Sequence, residues 1–179
     1  YNQTYGEVLE TLTKETVSEI SFLLDEGSSI IDYGCATGRL AIPLAKEGYK
    51  IYAVDSCHQL LDILDKKCEK IEIKNIKTYS EKISDYKGPS ADMALAVFYV
   101  FNYISTIDEM YRSLENIADH LNPNGHLLFD LPLDTFFQTP EVPVKNTLEG
   151  FYRQVELSPY SDGKEDSCYL YHDTCKGID

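Results

Sequence analysis

The sequence predicts an α/β fold, a doubly wound and mostly parallel sheet followed by a β-rich C-terminal extension or lid. Three observations predict it. Short apolar runs alternate with longer amphipathic stretches, the order that threads parallel strands through right-handed crossovers. The first run, Ile30-Ile31-Asp32-Tyr33, passes directly into a glycine turn, Gly34-Cys35-Ala36-Thr37-Gly38. The second run, Tyr49 to Val54, ends on Asp55.

Each element follows in order. Residues 3–26 carry Val8, Leu9, Leu12, Val17, Ile20, Leu23 and Leu24, mostly three or four apart, which predicts an amphipathic helix. It packs over the sheet or caps the site, and residues 1–27 read as an N-terminal helical cap. Residues 28–33 predict strand one and residues 38–47 a helix that tolerates Pro43 in its first turns. Residues 50–54 predict strand two. From His58 to Lys70 a helix presents Leu60, Leu61, Ile63, Leu64 and Cys68 as its apolar face. Ile76 to Tyr79 predict strand three, and Gly88-Pro89 a turn. Ala91 to Val97 form a near-continuous apolar run, as expected of a strand covered on both faces. Ser105-Thr106-Ile107-Asp108 has the form of a capped helix start. That helix runs to Leu121 and is stopped by Asn122-Pro123-Asn124-Gly125, after which His126 to Leu131 predict strand five. The core therefore spans residues 28–133.

Residues 134–179 are rich in Pro, Tyr and acid. Gly150 to Leu157 and Ser167 to His172 alternate like strands around Ser161-Asp162-Gly163. They read either as the reduced final pair of the sheet or, preferably, as a β-insertion covering a substrate in a truncated chain. Hairpin packing accounts for Tyr152, Tyr160, Tyr169 and Tyr171.

Asp55 lies 21 positions after Gly34, close to the ~20 between a glycine turn and the ribose-holding acid of nucleotide-binding βαβ units. Glycines let the backbone approach the ligand, and the carboxylate accepts from the ribose hydroxyls. A dinucleotide fingerprint starting at Gly34 needs glycines where Ala36 and Arg39 stand, so it fails twice. There is no G-x-x-x-x-G-K-[ST] loop for a triphosphate.

The segment Asp32-Tyr33-Gly34-Cys35-Ala36-Thr37-Gly38 resembles motif I of the class I S-adenosylmethionine-dependent methyltransferases, an acid, any residue, then G-C-G-T-G, with Ala36 replacing the middle glycine. The resemblance extends to Val54-Asp55-Ser56, to Ser84-Asp85-Tyr86 with the run Ala91 to Phe98, to Phe101-Asn102-Tyr103-Ile104, and to His120 through Asp130, which is similar to the family's L-x-P-G-G-x-L turn. It implies a Rossmann-like methyltransferase fold and S-adenosylmethionine as cofactor. On it, Asp32 and the turn Gly34, Cys35, Ala36, Thr37 and Gly38 hold the methionine end. Asp55, with Ser56, takes the ribose. Among Ser80-Glu81-Lys82 and Asp85, Glu81 ranks first for the adenine edge, with Lys82 beside it. Phe98 and Tyr99 line the methyl and substrate side, Asn102 and Tyr103 orient the acceptor, and Tyr5 resembles an N-terminal aromatic that closes over the cofactor.

The expected function is direct in-line methyl transfer to a small molecule, with the acceptor entering between Phe98 to Tyr103 and the Tyr-rich C-terminal region. The alternative is a protein that binds S-adenosylmethionine or a nucleoside without catalysis, as a sensor or partner subunit. Methyl transfer rests on positioning, and the sequence assigns no catalytic nucleophile or base. The segment Val97-Phe98-Tyr99-Val100 lacks the [DNS]-P-P-[YF] of amide and adenine N-methyltransferases. No catechol-type metal cluster is visible, and no metal is assigned.

Thirty acidic residues against 16 basic give a net charge of −14. Nucleic-acid binding needs Lys and Arg against phosphate, so a polynucleotide acceptor is not expected. The five cysteines are odd in number and form no C-x-x-C pair, which argues against a disulfide framework or structural zinc. Cys35 reads as packing under the turn. Cys168 and Cys175 read as free thiols that could touch across a hairpin. His58 reads as a surface residue at a helix start. The longest apolar run, Met93 to Phe101, falls short of the ~20 residues of a membrane helix, and no signal peptide is evident. The expected location is cytoplasmic, without a membrane partner and with no oligomeric state assigned.

Overall fold

A computed structural model describes residues 5–131, 146–148, 151–160 and 168–177, and the side chains of residues 9–131. The chain divides into two units, Tyr1–Asp130 and Leu131–Asp179.

The first unit is built on a five-stranded sheet with β1 (Ser29–Tyr33), β2 (Lys50–Val54), β3 (Ile76–Tyr79), β4 (Ala91–Ala96) and β5 (Leu121–Phe129). The order is β3-β2-β1-β4-β5, and all four pairings are parallel. Helices α1 (Tyr5–Leu23), α2 (Ala41–Lys46), α3 (His58–Lys70) and α4 (Ile107–Asp119) flank it, with 3-10 turns at Ile83–Asp85 and Val100–Tyr103. The expected α/β architecture is therefore present.

The two-residue period of the strands explains how both faces are filled. Ile30, Ile51, Met93 and Leu95 point to one side, where Ile20 of α1, Leu44 of α2 and Leu64 of α3 complete a fully or nearly buried core. Ile31, Tyr52, Val54, Ala94 and Ala96 point to the other, against Ile117 of α4 and the rings of Tyr33 and Tyr86. A strand apolar on both faces can only be stable when sandwiched in this way. Burying each large aliphatic side chain contributes ~1.5–3 kcal/mol. The rings on the second face meet edge to face, Tyr33 on Tyr86 at 5.6 Å and Tyr79 on Tyr86 at 5.2 Å.

Helix α4 starts as its capping sequence predicts: the Thr106 hydroxyl accepts from the Glu109 N–H at 3.2 Å. Several boundaries differ from the sequence reading, three of them for a visible local reason. The helix after the glycine turn begins at Ala41 rather than 38, because residues 36–40 are turn and Gly38 has φ +86°. Strand β4 stops at Ala96 because Phe98 and Tyr99 take left-handed backbone. Strand β5 starts at Leu121 instead of His126. The expected stop, Asn122 to Gly125, is an irregularity inside β5, where pairing jumps from Ala91↔Leu121 to Met93↔His126. Asn124 adopts φ +64° there, and Asn122 donates to the Asp92 carboxylate at 2.8 Å.

In the second unit, β6 (Asn146–Leu148), β7 (Phe151–Tyr160) and β8 (Cys168–Gly177) form an antiparallel sheet of order β6-β7-β8. The predicted hairpin exists and is longer than its alternation suggested. It is a sheet of its own rather than the last pair of the first. Cys168 and Cys175 both fall on β8, opposite Tyr160 and Arg153. One strand carries both, so the two cysteines do not face each other across the hairpin. The side chains of Tyr152, Tyr160, Tyr169 and Tyr171, and with them the lid and the acceptor entry beside it, lie outside the described residues. Among the described residues no helix is long and apolar enough to cross a membrane.

Candidate cofactor and acceptor site

In an open parallel sheet, ligands bind beyond the carboxyl ends of the strands where the winding reverses. Here that point lies between β1 and β4. Strand β1 runs out into the glycine turn, and the N–H groups of Gly34 and Cys35 both donate to the Val54 carbonyl, at 2.8 and 3.1 Å. The turn thus hooks over the end of β2. Asp55 stands next in the chain. One oxygen of its carboxylate accepts from the Ala36 N–H at 2.9 Å and the other from the Cys57 N–H at 2.8 Å. Each oxygen keeps a further lone pair for a ligand hydroxyl. The spacing of 21 residues thus corresponds to a direct clamp between turn and acid.

Ala36 holds φ +47°, Gly34 +68° and Gly38 +86°. Left-handed backbone costs a residue with a Cβ roughly 1–2 kcal/mol, whereas glycine loses about 0.5–1 kcal/mol in chain entropy. Ala36→Gly is therefore expected to leave stability unchanged or raise it by up to ~1 kcal/mol in urea unfolding. A clear destabilisation would show that the Ala36 methyl packs favourably.

The neighbours of the two glycines explain their identity. A Cβ on Gly34 would meet Val100 Cγ2 at 2.6 Å, so the turn Val100–Tyr103 lies directly against it. A Cβ on Gly38 would run into Leu64 Cδ1 of α3 and lie 3.2 Å from Ile42. Thr37 is tied to α3, with Lys67 Nζ donating to its carbonyl at 2.9 Å and its hydroxyl at 2.8 Å.

Asp32, only 3% exposed, lies beneath the turn. Its carboxylate takes a hydrogen bond from the Ala41 backbone, while Oδ2 has no hydrogen-bond partner among the described residues. Burial foremost, and the nearby charge of Asp55, push its pKa up to about 7 against the pull of the Arg39 guanidinium. Cys35 is buried as expected of a packing residue. Burial foremost, and then the Asp32 and Asp55 carboxylates, raise its thiol far above the ordinary value, so it carries no thiolate nucleophile.

Beyond β2 and β3, Ser56, Ser80, Glu81, Lys82, Asp85 and Lys87 line a cleft of about 420 Å³. Glu81 accepts from the Lys87 N–H at 3.0 Å, and Lys82 pairs with Glu109 of α4 at 3.1 Å. On the β4 side, Phe98 packs against the core and the Arg39 guanidinium lies 3.2 Å from its ring centroid. Tyr99 and Tyr103 are 40% and 50% exposed. Asn102 is half-buried, its N–H bonded to the Tyr99 carbonyl at 3.0 Å. Tyr5 falls in α1, but its side chain lies outside those described. Among the described residues no group of three or more His, Cys, Asp or Glu is placed to hold a metal ion.

The structure thus places Asp32, Gly34 to Gly38 and Asp55 in one constellation. Ser56, Glu81 and Lys82 form the adjoining cleft, and Phe98 and Val100 abut the turn. The sequence reading missed Asp130, whose carboxylate accepts the N–H groups of Phe98 and Tyr99, and the contacts made by Lys67 and Val100. Asp130 carries a signal that was available: like Asp55, it is an aspartate directly after a strand. The donor set fits S-adenosylmethionine. A carboxylate stands ready for a ribose diol at Asp55. The orphaned, buried oxygen of Asp32 suits a cationic group.

A family model described as a methyltransferase domain matches residues 5–160. A protein of Geobacillus sp. (strain WCH70), named provisionally as a methyltransferase, is 32% identical over 114 residues, covering 61% of this chain and 46% of that protein. The chain spans about half the length of the curated relatives it matches. Among solved structures, an S-adenosylmethionine-dependent methyltransferase from Clostridium acetobutylicum superposes with TM-score 0.66 at 17% identity, covering 98% of this chain and 75% of that one. The magnesium protoporphyrin IX methyltransferase of Synechocystis, solved with bound S-adenosylmethionine, gives TM-score 0.56 at 17% identity over 68% of this chain and 62% of that one.

Proposed function

The chain belongs to the methyltransferase-domain family, that of the class I S-adenosylmethionine-dependent enzymes, and on that premise we propose that it methylates a small-molecule acceptor. The observation that carries this reading is the clamp from the Asp55 carboxylate to the Ala36 N–H, which builds a ribose acceptor and a glycine turn into one rigid unit. When bound, the cofactor supplies a methyl group on a sulfonium, already a strong electrophile.

The chain's own residues then have positional duties. Asp55 accepts the ribose hydroxyls and fixes the ligand's rotation. Asp32 and the turn residues Gly34 to Gly38 hold the methionine end, with Cys35 as filler beneath them. Ser56 stands beside the ribose, and Glu81 and Lys82 face the adenine. The Phe98 ring and the Tyr99, Asn102 and Tyr103 side chains stand on the acceptor side and exclude water from it. Orientation of this kind supplies most of what a bimolecular transfer needs. The excess of 30 acidic over 16 basic residues supports a neutral or cationic small acceptor over a polynucleotide.

Asp32 makes this reading dependent on pH. Its pKa is raised from 3.8 to about 7 in the folded chain. The folded state therefore binds the proton more tightly than the unfolded one, and stability from this group is lost as pH rises from about 4 through 7. A shift of this size corresponds to about 4 kcal/mol once the carboxyl is ionised. A ligand ammonium beside Oδ2 favours the ionised form and drives the proton off. Binding of S-adenosylhomocysteine is thus expected to tighten from pH 5.5 to 7.5 and to release a proton, read by calorimetry in buffers of different ionisation enthalpy. In Asp32→Asn the pH dependence should vanish; its persistence would place the titrating group elsewhere.

The function itself is tested by calorimetry with S-adenosylmethionine and its demethylated product, followed by a metabolite screen for methylated species. Methylation of a small acceptor at rates indifferent to salt supports the reading. Binding with no turnover on a broad panel would assign a sensor or partner role. Efficient, salt-sensitive methylation of RNA or DNA would overturn the acceptor class.

A further inference from the structure

Asp130 stands directly after β5 and has no role in the cofactor site drawn above. Its two carboxylate oxygens take the N–H groups of consecutive residues, Oδ2 from Phe98 and Oδ1 from Tyr99, both at 2.7 Å. That is the short end of the range for charge-assisted bonds. Phe98 and Tyr99 both hold left-handed backbone, φ +67° and +65°. Two successive aromatic residues in that region are strained, and such strain persists only where the surroundings over-determine it. The two consecutive N–H groups converge on one carboxylate, as successive backbone donors in a turn can do for an anion. Asp130 is that anion, supplied from the neighbouring strand.

The segment it grips reaches the glycine turn at two further points. The Phe98 ring lies under the Arg39 guanidinium at 3.2 Å, and Val100 lies against Gly34. Phe101 is buried and meets the Phe129 ring at 5.6 Å, one residue before Asp130. We propose that Asp130 is a positioning residue for methyl transfer: by locking Phe98 and Tyr99 in left-handed backbone, it sets where the Phe98 ring and the turn Val100–Tyr103 stand against the glycine turn. The proposal rests on the reading of that turn as the cofactor site. The left-handed pair itself leaves no local mark in the sequence, since neither aromatic residue favours positive φ and 31 or 32 positions separate the pair from Asp130.

The test uses Asp130→Asn, which preserves shape but sets an amide NH2 against one of the two N–H donors. At a temperature where circular dichroism shows both proteins folded, the variant should bind S-adenosylhomocysteine roughly tenfold more weakly. The Phe98 and Tyr99 amide protons should move upfield and exchange faster. Adding Tyr99→Gly, which accepts φ +65° without a Cβ, should restore affinity to within about threefold of wild type. A purely structural Asp130 would lower the melting temperature while leaving the affinity of the folded protein unchanged. Unchanged affinity and unchanged amide signals in Asp130→Asn, with a wild type that binds, would overturn the role of Asp130 alone. Failure of the wild type to bind would instead remove the cofactor site, and the proposal with it.

Discussion

Asp55→Ala should abolish measurable binding of S-adenosylmethionine while the chain remains folded. On the proposed reading, the substitution removes the acceptor of two ribose hydroxyls. It also frees the Ala36 and Cys57 N–H groups that the carboxylate now holds at 2.9 and 2.8 Å. Hydrogen bonds to a charged partner contribute about 1.5–3 kcal/mol each. Losing the ligand's bonds and the order of the turn together should cost on the order of 3–5 kcal/mol, a few hundredfold or more in affinity. Asp55→Asn, which keeps one acceptor oxygen, should fall between. Calorimetry paired with circular dichroism checks this, and undiminished affinity in the alanine variant would remove Asp55 from the site.

Gly38→Val should produce the largest loss of stability in the turn. A β-branched residue at φ +86° is strained by about 1–2 kcal/mol. Its side chain would also be driven into Leu64 and Ile42 in a filled core, where overpacking costs another 1–3 kcal/mol. A total of ~2–5 kcal/mol in urea unfolding is a large share of a small domain's stability. Gly34→Val should behave differently. Gly34 is exposed, and its obstacle is Val100 on a 3-10 turn rather than a helix in the core. There the expected result is a folded protein that has lost cofactor binding, because the segment after β4 is pushed away. Equal losses of stability in the two variants would contradict this division of labour.

That division also marks how far the sequence could be read. Period and apolar content reveal β1, β2 and β4 nearly to the residue, because a strand buried on both faces is largely apolar. Helix α3 was legible from His58 to Lys70 for the same reason, since its apolar stripe faces Leu64 inward. The glycines and Asp55 were legible as a pattern, while the hydrogen bond from Ala36 to Asp55 that gives the pattern its meaning was not. Asn122 to Gly125 read as a stop because its residues are turn formers. It is an irregularity within β5, stabilised by Asn122 reaching Asp92 from a neighbouring strand. The left-handed pair at Phe98 and Tyr99 was beyond local reading, since only the distant Asp130 makes it affordable.

We propose above that the glycine turn and Asp55 form a site for S-adenosylmethionine rather than for a dinucleotide. Calorimetric titration of this chain with S-adenosylhomocysteine and, separately, with NADH tests it most directly. The expected result is saturable binding of the former at a single site, with no heat from NADH. Tight binding of NADH without any binding of S-adenosylhomocysteine would contradict it.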